Sequence, residues 1–251
     1  MTRGIACRLA DVGVTLLCWA YFTLGFVIFF SPFYLLAACV PPRTEYCFQR
    51  LNSIFYRGFF LLLRAVAPRL SWRIDPQLGN IRSSVVVCNH LSYLDPLLLI
   101  AQFPRAKTVV KPVFFAVPVF GWVLRKAGYF PAASTGRHGG LMIRQMESMA
   151  DYLREGGNFF IFPQGTRRRD GRIGELNEGA FKIARFCNVP MYIVCLNNTG
   201  KVFTPGKFFF NTTTPTQIEM RLAGRIDPEP AGRGAGELEN RVRAVLESCL
   251  D

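Results

Sequence analysis

The clearest pattern along the chain is at its beginning. From Val12 to Val40 no charged residue occurs, and such a run exceeds the roughly 20 residues that cross a bilayer as a helix. Pro32 falls inside the run and should kink or break a helix there, so a membrane-embedded hairpin of two short helices competes with one tilted span. Arg3 and Arg8 precede the run, and Arg43, Arg50, Arg57, Arg64 and Arg69 follow it; basic residues on both sides fit a hairpin that returns to the cytoplasmic face. No small-residue cleavage site follows the apolar core, so the segment is expected to remain attached.

Between about Cys47 and Ala67 the pattern changes to that of an amphipathic helix. Arg50, Arg57 and Arg64 recur every seven residues and fall on one stripe, while Leu51, Ile54, Phe55, Phe59, Leu62 and Leu63 fill much of the rest. The helix is either interfacial, with arginines at phosphate level, or an ordinary helix packed on a core. Residues 1–70 therefore read as a membrane anchor, a helical hairpin or single span plus an interfacial helix, and residues 71–251 as the domain that carries the chemistry.

After Pro68, short apolar runs alternate with polar turns. Val85–Cys88, Thr108–Val110, Asn158–Phe162 and Met191–Leu196 have strand length, and amphipathic stretches such as Leu141–Arg154 and Ala180–Phe186 fall between them. This order predicts an α/β fold with a mostly parallel sheet flanked by helices, preceded by the amino-terminal membrane-embedded helical segment. A Pro- and Gly-rich loop, Asp227–Gly236, leads into a last helix from about Glu237, with Leu238, Val242, Val245 and Leu246 as its apolar stripe.

Composition sharpens the membrane reading. Half of the residues are hydrophobic, 23 of them Phe, and the formal net charge is +13, which calls for a polyanionic partner. No zinc-finger spacing, RNP-like aromatic stretch or basic heptad region is present, so nucleic acid is not expected and a bilayer with anionic lipids is. The eight cysteines form no CxxC pair and read as small buried hydrophobes in a reducing compartment. With them and two separated histidines, no metal ligand set assembles and no metal is expected.

Those two histidines narrow the search for a base that works near neutral pH. His90 follows the strand-like run Val85–Cys88, at the carboxyl end where α/β folds place ligands, whereas His138 lies in a loop-like stretch. Asp95 stands five positions after His90, and a continuous helix would turn the two apart, so the chain must bend between them. Asp95 before Pro96 can be a helix cap; alternatively its carboxylate orients the imidazole and stabilises the imidazolium. Some seventy residues on, Phe159–Phe162 runs into Pro163-Gln164-Gly165-Thr166-Arg167. Gly165 permits close backbone approach, and Arg167 offers a planar charged fork suited to a phosphate.

Asn89-His90 with Asp95, and Phe162-Pro163-Gln164-Gly165-Thr166-Arg167, resemble the NHxxxxD and FPEGTR signatures of the lysophosphatidic acid acyltransferase (1-acylglycerol-3-phosphate O-acyltransferase) family. The resemblance continues through Lys111, the Pro118–Gly121 block and Val189-Pro190, and covers roughly Ser83 to Pro228. It implies direct acyl transfer from acyl-CoA or acyl carrier protein to the free hydroxyl of a lysophospholipid, foremost 1-acylglycerol-3-phosphate giving phosphatidic acid, with no further cofactor. His90 would be the base and Asp95 its partner, with Lys111, Arg137, Gln164, Gly165, Thr166 and Arg167 near the acceptor. The reaction would take place at the cytoplasmic face of the membrane. A thioester is already activated and needs a deprotonated hydroxyl rather than a protein nucleophile, and no GxSxG elbow occurs.

Two positions depart from the family pattern. Counting from Gly128, Ser134 stands where an arginine is usual, with Arg137 three residues further on, and Gln164 replaces a glutamate by a neutral amide. Both fall where the headgroup would be read, which leaves open a different lysolipid or lipid-like acceptor. A non-catalytic lipid-binding relative is the alternative of another class. For Arg167 the flanking Arg168, Arg169 and Arg172 also fit a solvated loop or membrane-facing patch.

Overall fold

A computed structural model describes residues 4–132, 148–164, 174–228 and 235–249. The uncharged run near the amino terminus is one continuous helix, Ile5–Ala38, 34 residues long, and only 11 % of its most apolar stretch is buried. At 1.5 Å per residue it is roughly 50 Å long, more than a hydrocarbon core requires.

The break expected at Pro32 does not occur. Residues Tyr21–Phe30 take the wider π-helical winding immediately before it, a register in which the amide missing at Pro32 would have bonded the carbonyl of Val27. The hydroxyl of Ser31 donates to that carbonyl at 2.6 Å instead. The chain turns through Cys39–Arg43 and comes back along the helix Thr44–Val66. Ring pairs Tyr34–Phe48, Phe30–Phe55 and Phe22–Phe59, with centroids 4.7 to 5.1 Å apart, match early residues of one helix with late residues of the other. The hairpin is therefore made by the long helix and the return helix, not within the uncharged run.

The return helix packs on the core. Phe48, Phe59 and Leu63 are fully buried, Arg57 donates to the carbonyl of Ala101 at 2.7 Å, and the guanidinium of Arg64 lies 5.0 Å from the Trp72 ring. These two arginines thus meet protein groups. One hydrophobic cluster contains residues from both sides of position 70, so the division expected there marks where the sheet begins, not a gap in packing.

Among the described residues seven strands form one sheet: β1 (Leu70–Ile74), β2 (Ser84–Cys88), β3 (Ala106–Val110), β4 (Phe130–Pro131), β5 (Asn158–Ile161), β6 (Met191–Asn197) and β7 (Thr216–Ile226), in spatial order β1-β7-β6-β2-β5-β3-β4. From β6 to β4 all neighbours are parallel, whereas β7 runs antiparallel to β6 and carries β1 beside it. The fold is the expected α/β arrangement with a mostly parallel sheet.

Central β2 is buried at every position, which is why its sequence reads as an unbroken apolar run. Alternation sends Val86 and Cys88 into the cluster under the return helix. Val85 and Val87 enter a second cluster under the helices Gly179–Cys187 and Ala235–Glu247. The last helix buries Val242 and Leu246 of its stripe. Cys195 and Cys249 face each other with Cα atoms 5.6 Å apart, a spacing that a disulfide could span; the other six cysteines are free.

Candidate active site

Parallel strands end at the same edge, so the residues just past β2, β3, β5 and β6 gather there. β2 gives way to Asn89, whose side-chain amide donates to the carbonyl of Leu196 at 2.8 Å and accepts from its backbone amide at 2.7 Å. This reciprocal pair fastens the end of β2 to β6 and fixes the point from which the next residue projects.

That residue is His90. Its Nδ1 lies 2.9 Å from Oδ2 of Asp95, and its ring stacks on Phe162, with centroids 4.1 Å apart. Phe162 follows β5, the parallel neighbour of β2, so the sheet supplies one wall of the imidazole slot and the Asp95 turn the other. The side chain of His90 is 14 % exposed and that of Asp95 is fully buried.

Asp95 is at the second position of the helix Leu94–Gln102, yet its carboxylate turns back instead of capping the amides that follow. Oδ2 accepts from the amides of Leu91 at 2.5 Å and Ser92 at 2.7 Å. Oδ1 accepts from the hydroxyl of Thr199 at 2.6 Å. The Ser92 hydroxyl in turn donates to the carbonyl of Phe203 at 2.7 Å, so the turn from His90 to Asp95 is pinned on both sides. A carboxylate is acceptor-only, and donors surrounding it fix its rotamer. With Nδ1 donating to Oδ2, the assigned tautomer leaves Nε2 as the basic nitrogen. Burial and the neighbouring Asp95 charge push the thiol of Cys88, behind this turn, well above its usual range.

His90 borders a cavity of about 440 Å³, within the usual size of a small-molecule site. Its lining is mainly apolar: Tyr93, Val109, Val110, Phe114, Phe130, Met149, Phe159, Ile161, Phe162 and Ile183, with Thr108, Lys111, Asn177 and Lys182 as polar members. Lys182 is engaged with Glu178 at 2.7 Å. A hydroxyl that enters with an apolar chain behind it would meet a nitrogen base here, with one lysine, Lys111, at the end of β3.

His90, Asp95 and Lys111 thus converge at one edge of the sheet. Gln164 is half-buried two residues beyond Phe162 and is not among the described residues that line the cavity. Arg137, Gly165, Thr166 and Arg167, like Ser134 and His138, lie outside the described residues. Sequence reasoning gave no role to Asn89, although it named the motif containing it, and passed over Thr199. The Asn198-Thr199-Gly200 turn directly after β6 was the available signal; Asn198 takes the left-handed conformation there, at φ 65°.

The family model for acyltransferases matches residues 75–197, the stretch that contains β2, the His90–Asp95 turn, β5 and β6. Across those residues the chain is similar to the acyltransferase family. Among acyltransferase relatives, the chloroplastic 1-acyl-sn-glycerol-3-phosphate acyltransferase of Brassica napus is 30 % identical over 164 residues, 63 % of this chain and 47 % of that protein. The chain thus spans about half the length of that relative. The 1-acyl-sn-glycerol-3-phosphate acyltransferase of Pseudomonas aeruginosa is 26 % identical over 221 residues, 86 % of this chain and 82 % of the other. The fold is that of the crystal structure of the 1-acyl-sn-glycerophosphate acyltransferase PlsC from Thermotoga maritima, with a TM-score of 0.73, 96 % of each chain covered and 19 % identity.

Proposed function

We propose that this protein transfers a fatty acyl group from acyl-CoA or acyl carrier protein to the free hydroxyl of 1-acylglycerol-3-phosphate, forming phosphatidic acid at a membrane surface. The observation that carries this reading is the imidazole of His90, oriented through Nδ1 by buried Asp95 and bordering a mainly apolar cavity.

In this reading Nε2 of His90 takes the hydroxyl proton as the oxygen attacks the thioester carbonyl. Asp95 stabilises the imidazolium formed, the tetrahedral intermediate collapses, and the departing thiolate takes the proton back from Nε2. No covalent acyl-protein is needed, because the thioester is itself the activated acyl group. Lys111, Arg137, Gln164, Gly165, Thr166 and Arg167 are assigned to the acceptor headgroup, where a permanent guanidinium charge and backbone amides beside glycine suit a phosphate.

The relatives named 1-acyl-sn-glycerol-3-phosphate acyltransferase support this acceptor. The neutral amide of Gln164 supports a second reading, a lysolipid with another headgroup, because it can donate as well as accept hydrogen bonds where a carboxylate only accepts. The long apolar helix supports attachment to a bilayer, with the reaction on the cytoplasmic side and the basic chain facing anionic lipids.

The test is thiol release from palmitoyl-CoA and palmitoyl carrier protein by detergent-purified protein across a lysolipid panel. His90→Ala serves as control and should lose about 10²- to 10⁴-fold in rate while remaining folded. Release triggered by lysophosphatidic acid supports the first reading, and release triggered by another lysolipid the second. Equal activity of folded His90→Ala, or no release with any acceptor, defeats the catalytic assignment and favours a non-catalytic lipid binder.

A further inference from the structure

Beside the cavity the chain makes a second, much shorter apolar projection. From Pro112 to Phe120 there is no charged residue, and every side chain but that of Phe115 is exposed. Val113 and Val119 are 64 % and 57 % exposed. A soluble surface scatters its exposed apolar residues singly, and a contiguous patch with a polar rim marks a surface that meets another phase or partner. Here the rim is basic: Lys111 precedes the segment, and exposed Arg125 and Lys126 follow it in the last turn of the helix Phe120–Lys126.

The projection is built, not slack. Val119 has φ 63° and ψ −56°, and the amide of Phe120 bonds the carbonyl of Pro118 at 2.6 Å, the rare positive-φ form of γ-turn, which is strained for a β-branched residue. The surroundings enforce it. A Cβ on Gly121 would sit 2.1 Å from the carbonyl oxygen of Phe115, so only glycine lets the short helix Pro112–Phe115 close against Phe120–Lys126. Arg125 also donates to that Phe115 carbonyl at 2.8 Å. Strain retained at an exposed apolar tip calls for a function.

Its position names the partner. Trp122, just behind the tip, meets Phe48 of the return helix at 5.1 Å, and the other neighbour of Phe48 is Tyr34 of the long apolar helix, also at 5.1 Å. Around Tyr34 that helix exposes Phe33, Leu35 and Leu36, so the projection adjoins the carboxyl-terminal end of the surface assigned to the bilayer. On its inner side Phe114 lines the cavity beside His90.

We propose that Pro112–Phe120 is a second membrane-inserting element, separate from the long helix, which holds the cavity mouth open to the acyl-chain layer of an anionic bilayer. The role at the cavity rests on the acyl-transfer reading above; the insertion itself does not. Val113, Val117 and Val119 point into lipid, the flanking lysines and arginine sit at phosphate level, and an acceptor reaches His90 laterally without passing through water.

Val117→Asp/Val119→Asp in the full chain changes residues that do not line the cavity. The expected result is about a tenfold fall in kcat/KM for long-chain lysophosphatidic acid in phosphatidylcholine–phosphatidylglycerol vesicles, with a change of less than about twofold for a short-chain, water-soluble acceptor. Equal losses on both acceptors, or none on either, overturn the proposal. A second variant, Val119→Trp, reads insertion directly: vesicles of lipid brominated along the acyl chains should quench the added fluorescence, and an unquenched tryptophan overturns the proposal. If wild-type protein transfers no acyl group, the functional reading fails while the quenching result still decides insertion.

Discussion

Two buried aspartates, Asp11 and Asp95, sit at opposite ends of the polypeptide's problem and are satisfied in nearly the same way. Asp95 takes the amides of Leu91 and Ser92 and the hydroxyl of Thr199. Asp11, in the long apolar helix, takes the amides and hydroxyls of Thr212 and Thr213 at 2.8 to 3.1 Å. Each gathers donors from a distant segment, because a buried carboxylate without them would be very costly. The two differ in where they stand. Asp95 holds His90, which borders a cavity, whereas Asp11 ties the long apolar helix to the segment before β7. The same hydrogen-bonding solution therefore serves attachment at Asp11 and, in the proposed mechanism, chemistry at Asp95.

Substitutions can break that contrast. The largest effect is expected for Asp95→Asn, which presents an amide where only acceptors fit: kcat should fall about a hundredfold or more, with the protein still folded by circular dichroism. Thr199→Val removes the donor to Oδ1 and leaves the turn amides in place. About a tenfold loss is expected in kcat with little change in KM, since a hydrogen bond to a charged group is worth about 1.5–3 kcal/mol. A purely structural role would lower the melting temperature instead.

Asp11→Ala should do the reverse. Leaving the Thr212 and Thr213 amides without their acceptor should cost about 1–3 kcal/mol, read as a lower unfolding midpoint in detergent, while kcat per folded molecule stays within about twofold. A collapse of kcat with unchanged stability would erase the distinction between the two aspartates. The smallest effect concerns Cys88 beneath the Asp95 turn. Its raised, buried thiol should resist iodoacetamide at pH 8 while exposed Cys39 is modified, as mapped by mass spectrometry.

The corner that holds His90 and Asp95 was largely legible in the sequence because it is local. β2, the turn and Asp95 occupy twelve consecutive positions from Ser84, and an apolar run followed by a polar turn places the histidine at a strand end without knowledge of the rest. Thr199 and the Asp11 partners were not legible, since they lie 104 and about 200 residues away and only the folded sheet brings them near. Pro32 misled for a different reason. The rule that proline breaks a helix assumes that the lost bond stays lost, but a π-helical segment and the hydroxyl of Ser31 absorbed it. The arginine stripe fitted both an interface and a packed surface, and sequence period cannot choose between them.

The shared core has a practical side for anyone preparing the protein. A truncated version beginning near residue 70 would shed the return helix and strip the cover from one face of the sheet. Lys107, buried at 7 % side-chain exposure and paired with Glu45 at 2.9 Å, would lose its counter-ion, and the apolar positions now packed by Phe48, Phe59 and Leu63 would open to solvent. Such a fragment should enter inclusion bodies, whereas a cut placed before the return helix, between the two arms of the hairpin, would retain that cover and the ion pair.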